Sequence, residues 1–117
     1  MADATTDVRQ WEAAHRFARI APRKARLVID LIRGMSCDKA LEVLRFNPRR
    51  ASVLLAAVVQ SAMSSANEQE AQMNRLYVRE ARVDEGPTMK RWRPKDRGRS
   101  HPINKRTSHL IVKVAER

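Results

Sequence analysis

The chain has 117 residues, 43% of them hydrophobic and only 4% aromatic, and a net charge of +11 that gives an isoelectric point of about 11.2. That length holds one domain, and its core must be built from Ala, Val, Leu, Ile and Met. The lone cysteine, Cys37, excludes an internal disulfide and fits a reducing compartment; no apolar run approaches the roughly 20 residues that span a bilayer; and the cationic excess calls for a polyanionic partner.

Residues 1–10, MADATTDVRQ, are polar, are expected to be disordered, and lack the basic-then-apolar order of a signal peptide. Residues 11–20, WEAAHRFARI, fit a short strand ending at Ile20, with Trp11 packed over an edge of the domain. Pro22 suits the first position of a helix, where its missing N–H costs nothing. The segment PRKARLVIDLIR predicts that helix, with Leu27, Val28, Leu31 and Ile32 as its apolar stripe and Gly34 as its C-terminal stop. Ser36 is a cap for a second helix over CDKALEVLRF, and Asp38 sits in the first turn, where the helix dipole favours an acid.

Asn47-Pro48 reads as the cap and first residue of a third helix running to about Gln69. Its segment ASVLLAAVVQSAMSSA is apolar nearly all round, which predicts a central, buried helix. Two strand-like runs follow, over about 75–85 and 107–115. In the second, Leu110, Val112 and Val114 alternate with Ile111, Lys113 and Ala115.

Between those runs lies GPTMKRWRPKDRGRSHPINKR, residues 86–106. It holds eight basic residues and one acid, and so carries seven of the eleven net positive charges. It lacks the aliphatic side chains of a core. A cationic segment pinned at both ends by strands reads as a projecting arm, ordered by something polyanionic. A solvated charge run is the plain alternative. Against it stand the interleaved Trp92, Pro94, Gly98 and Pro102, and the arginines, whose guanidinium groups suit bidentate phosphate contacts and base stacking. Trp92 has no apolar neighbours in sequence and is better placed to stack on a base than in a core. A second basic zone, residues 16–33, carries Arg16, Arg19, Arg23, Lys24, Arg26 and Arg33 against Asp30 alone, while residues 34–85 are balanced.

Catalytic constellations are absent from the sequence. There is no Gly-rich phosphate loop and no paired-histidine motif. His15, His101 and His109 are far apart, and with Cys37 they offer no zinc spacing. Cys37 reads as a small helix residue, and Asp30, Asp84 and Glu85 as partners for arginines. The run Asp84-Glu85-Gly86-Pro87 marks the place where a strand ends or bends. No metal, cofactor or small-molecule substrate is expected.

Three stretches, APRKARLVIDLIRG, RLYVREARVDEGPTMKRWRPKDRGR and INKRTSHLIVKV, resemble the bacterial large-subunit ribosomal protein L twenty-two family over about residues 14–115. The resemblance implies a small α+β domain, with three helices against a three-stranded antiparallel sheet and a long basic β-hairpin. It implies a place near the exit of the nascent-peptide tunnel, a hairpin reaching inward, and a tip at the tunnel constriction opposite protein L four. Residues 11–117 would form one domain that includes the arm.

Carried over, Lys90, Arg91, Arg93, Lys95, Arg97, Arg99, Lys105 and Arg106 become hairpin contacts to ribosomal RNA (rRNA), and Arg19, Arg23, Lys24 and Arg26 match the family's basic segment at the start of the first helix. Arg16, Arg49, Arg50, Trp92 and His101 complete the candidate rRNA-binding set. Arg91, Trp92, Arg93, Pro94, Lys95, Asp96, Arg97 and Gly98 are the candidate tunnel-lining tip. Asp96 departs from the family, which more often has a small neutral residue there.

The expected partners are large-subunit rRNA, neighbouring ribosomal proteins and nascent peptide, with no membrane, in a cytoplasmic ribosome. The competing reading is an architectural DNA or RNA binder outside the ribosome. Co-sedimentation with large subunits through a moderate salt wash separates the two.

Overall fold

The computed structural model describes residues 9–95 and 98–116, with backbone alone for Lys95 and Arg99. In chain order it contains β1 (Gln10–Ala18), α1 (Pro22–Ile32), α2 (Cys37–Phe46), α3 (Arg50–Glu68), a 3-10 turn (Met73–Arg75), β2 (Leu76–Glu85), β3 (Met89–Lys95), β4 (Arg99–Lys105) and β5 (Ser108–Glu116). Three helices and mainly antiparallel strands make it α+β, as expected. Of the stretch expected to be disordered, residues 1–8 lie outside the described residues, whereas Gln10 already pairs with Ala115. Asp96 and Arg97 of the expected tip also lie outside them.

The order β1-β5-β2 puts β5 in the centre, antiparallel to both neighbours. Its alternation decides which way it faces. Leu110, Val112 and Val114 lie in register with Trp11 and Ala13 on one side and with Val78, Ala81 and Val83 on the other. They form the helix-facing layer, and the three β5 residues are fully buried. The central position also buries Ile111 and Ala115 on the opposite face. There Arg82, paired with Ile111, bridges Glu80 and Asp84, and Lys113 joins Glu80. Trp11 lies inside the core, its indole N–H donating to Gln69 Oε1.

Three sequence readings of the helices need correction. The buried stripe of α1 is Ala25, Val28, Ile29 and Ile32, spaced i, i+3, i+4, i+7, whereas Leu27 and Leu31 are 53% and 45% exposed. The rotation about the helix axis is fixed by Arg26 and Arg33, seven residues apart. Their guanidinium groups donate to the edge carbonyls of Val83 and Ala81 on β2. Gly34, at φ +84°, then lets the chain turn, and its N–H donates to Val78 O.

Helix α3 begins at Arg50 rather than Pro48. Asn47 instead closes α2, its N–H donating to Leu44 O and its side-chain oxygen accepting from Arg49 N. Nor is α3 buried all round. Leu55, Val58, Val59, Ala62 and Ala66 face the core, while Val53 is 71% exposed. Its small residues satisfy an apolar count without needing burial. β1 stops at Ala18, short of Ile20, after an irregularity at His15 to Ala18.

β3 and β4 form a separate two-stranded antiparallel ladder, from Met89↔Lys105 to Lys95↔Arg99. Gly98, in the connection, has φ +73°, a conformation glycine adopts without strain. Every described side chain of the ladder is exposed except the half-buried Ile103. The molecule measures 63 × 36 × 24 Å with a radius of gyration of 17.6 Å. A compact chain of this length would have a radius near 13 Å.

Candidate nucleic-acid interface

The base of the β3–β4 ladder is fixed at one joint. β2 and β5 pair as far as Glu85↔Ser108. Gly86 N–H then donates to Thr107 O, and the Thr107 hydroxyl donates to Pro87 O at 2.6 Å. Beside this joint the turn from β1 into α1 is held by Ser108, whose buried hydroxyl donates to Ile20 O at 2.6 Å. The α2–α3 turn approaches from the third side, held by Ser52 Oγ donating to Arg49 O and Asn47 O.

These turns enclose a cleft of about 480 Å³. Arg19, Ile20, Ala21 and Lys24 line it from the start of α1, Arg49, Arg50 and Ala51 from the start of α3, and Asn104, Lys105 and Arg106 from the base of the ladder. Six cations from three separate parts of the chain thus converge, and among the described residues no acid lines the cleft. A neighbouring groove of about 610 Å³ shares Arg19, Arg50, Lys105 and Arg106 and extends to Lys90 and Arg91.

Its electrostatics suit an anion. Among the described residues none of the six cleft cations is held in an ion pair. The bridging acids lie elsewhere: Asp30 on Arg33, Asp84 on Arg82, and Glu80, whose carboxyl is held below the usual range by the hydrogen-bonded ammonium of Lys113 and then by Arg82. Neither α1 nor α3 has a side-chain N-cap or an acid in its first turn. Both therefore bring cations to the positive end of a helix dipole. That arrangement is unfavourable in the free protein and is relieved by a bound anion.

The ladder has two chemically different faces. Paired residues share a face, so Arg91↔Ile103, Arg93↔His101 and Met89↔Lys105 lie on one and Lys90↔Asn104, Trp92↔Pro102 and Pro94↔Ser100 on the other. The interleaved sequence concealed this sorting: Arg91, Arg93, His101 and Lys105 share a side, and Trp92, 68% exposed, lies among prolines on the other.

The predicted site residues therefore divide. Arg19, Lys24, Arg49, Arg50, Lys105 and Arg106 meet in the cleft, and Lys90 and Arg91 adjoin it. Arg93, Trp92, Pro94 and His101 stand out along the ladder, and Gly98 lies beyond it. Arg16 and Arg23 are exposed but do not line the cleft. Arg26 has one N–H pair committed to Val83 O. Nothing in the sequence pointed to Ile20, Ala21 or Asn104 as lining residues. Their role comes only from the three turns meeting.

Cys37 is buried, and desolvation, then the charge of Asp38, pushes its thiol up to about 12, so it is an inert packing residue. Among the described residues no group of three His, Cys, Asp or Glu side chains is placed to hold a metal, and no helix is long and apolar enough to cross a membrane.

A family profile described as ribosomal protein L22p/L17e matches residues 13–115. The chain is 51% identical over 107 residues to proteins of Lactobacillus gasseri, Lactobacillus johnsonii and Lactobacillus helveticus, each named large ribosomal subunit protein uL22. Each comparison covers 91% of this chain and 92% of the relative.

Proposed function

The chain belongs to the ribosomal protein L22p/L17e family, a structural constituent of the ribosome and not an enzyme, and from that premise we propose that it binds large-subunit rRNA through the cleft and the ladder, and supports assembly of that RNA. The observation that carries this reading is the convergence of Arg19, Lys24, Arg49, Arg50, Lys105 and Arg106 on one acid-free cleft. These six guanidinium and ammonium groups, without an ion-pair partner among the described residues, repel one another in the free protein. RNA backbone placed in the cleft neutralises them and releases its own condensed counterions, which supplies affinity without sequence reading. The globular domain fixes the joint at Gly86 and Thr107, and the joint aims the ladder.

The ladder is the long β-hairpin of the family. Its face of Arg91, Arg93 and Lys105, with His101 among them, packs along phosphates, and its tip at residues 91–98 lines the nascent-peptide tunnel and meets the emerging peptide. Neighbouring ribosomal proteins contact the rest of the surface, in a cytoplasmic ribosome. Co-sedimentation tests the assignment. The protein is expected to travel with large subunits and remain through a moderate salt wash. Release into the supernatant at that salt would favour a free nucleic-acid binder instead.

A further inference from the structure

Phe17 is an aromatic side chain placed where chain geometry disfavours one. His15 pairs with Leu110 and Ala18 with Ser108, so Arg16 and Phe17 together oppose the single residue His109. This is a β-bulge, a device that re-aims a side chain. Within it Phe17 has φ +59°, the left-handed region in which a residue with a Cβ is strained and glycine is not. The core gives no compensation, since Phe17 is 61% exposed. The conformation is nevertheless built in. Phe17 N–H donates to His109 Nδ1 at 3.1 Å, and the two rings meet edge to face with centroids 4.9 Å apart. The result is an aromatic ring braced on one side and open on the other, near exposed Arg16 and Arg19 in the chain, the latter a cleft residue.

We propose that Phe17 is a fixed stacking platform for an unpaired nucleobase of the RNA whose backbone occupies the cleft. The inference rests on the RNA-binding reading above and adds to it a contact to a base. Backbone strain kept at an exposed position points to function, and the flanking arginines select a nucleic acid over an apolar protein surface. Unstacked RNA bases are bound on aromatic side chains in this way.

The test measures affinity of the full chain for purified large-subunit rRNA, with a thermal melt of each free variant. Phe17→Tyr is expected to bind within about twofold of the parent, and Phe17→Leu and Phe17→Gly on the order of tenfold more weakly. The salt dependence should not change, because no phosphate contact is lost. Phe17→Gly should melt close to the parent, since the strain it removes offsets the ring contact with His109 that it loses. Ultraviolet cross-linking of the parent should join residue 17 to a nucleotide. Parent-like affinity of Phe17→Leu, a lowered melt of Phe17→Gly, or a cross-link from residue 17 to protein would each overturn the proposal. Failure of the parent to bind the rRNA would instead bring down the broader reading and this one with it.

Discussion

Substituting Gly86 by Ala tests whether the joint between the domain and the ladder is as tight as its geometry says. A Cβ on Gly86 falls 2.5 Å from Thr107 Oγ1 and 3.3 Å from both the carbonyl carbon and oxygen of Thr107. The hydroxyl cannot turn aside freely, because it donates to Pro87 O at 2.6 Å and Thr107 is only 4% exposed. Relief requires losing that hydrogen bond, worth about 0.5–1.5 kcal/mol net, and shifting packed backbone, at about 1–3 kcal/mol. The combined cost is about 1.5–4.5 kcal/mol, which lowers the melting temperature of a domain this size by roughly 10 °C. Circular dichroism melts of the isolated protein read this out. Thr107→Ala removes the clashing atom, so the double variant should melt close to Thr107→Ala alone, a non-additive cycle between neighbours. A Gly86→Ala protein melting within about 2 °C of the parent, or a fully additive double variant, would refute the reasoning.

The rotation of α1 is checked by Ile29→Ala and Leu27→Ala. The first is expected to cost about 2–5 kcal/mol and the second under about 0.5 kcal/mol; equal costs would contradict the buried stripe. Cys37 should resist iodoacetamide at pH 8.5 in the native protein and react in urea, and comparable rates would show the thiol to be accessible. Its proton is held to about 12 in the fold against an ordinary 9.0, so the unfolded chain releases it first. Stability is therefore whole below pH 9.0 and falls as pH rises toward 12. In the free protein, amides of β3 and β4 should exchange far faster than those of α3, because a two-stranded ladder with exposed side chains is marginal alone. Equal protection would make the ladder part of the core.

The elements with a strong local signal were legible in the sequence. Pro22, Ser36 and Gly34 marked helix ends through backbone chemistry that acts within a few residues, and the strand runs read over about 75–85 and 107–115 are found as Leu76–Glu85 and Ser108–Glu116. What failed depended on tertiary packing. Two stripes on α1 satisfy helical spacing, and the choice between them is made by Arg26 and Arg33 reaching the carbonyls of β2. Asn47 suited both a helix end and a helix start, and its side chain caps the turn between. The basic arm was visible as composition, but its two faces needed the pairing of Arg93 with His101 and Trp92 with Pro102. Arg49 and Arg50 were legible as cations and not as neighbours of Lys105 and Arg106, because that adjacency exists only once three turns meet.

The salt dependence of binding to purified large-subunit rRNA decides whether the cleft is the RNA site. With the six cleft cations and Arg91 and Arg93 of the ladder on phosphates, the slope of log affinity against log salt is expected near −6 to −7, taking about 0.7–0.9 per contact. Replacing Arg49 and Arg50 together by Ala should make it shallower by roughly 1.5 units and leave the melt of the free protein unchanged or raised, since among the described residues neither side chain has an ion-pair partner and both add to the repulsion in the cleft. A slope shallower than about −2 in the parent, or the same slope with and without Arg49 and Arg50, would contradict the account.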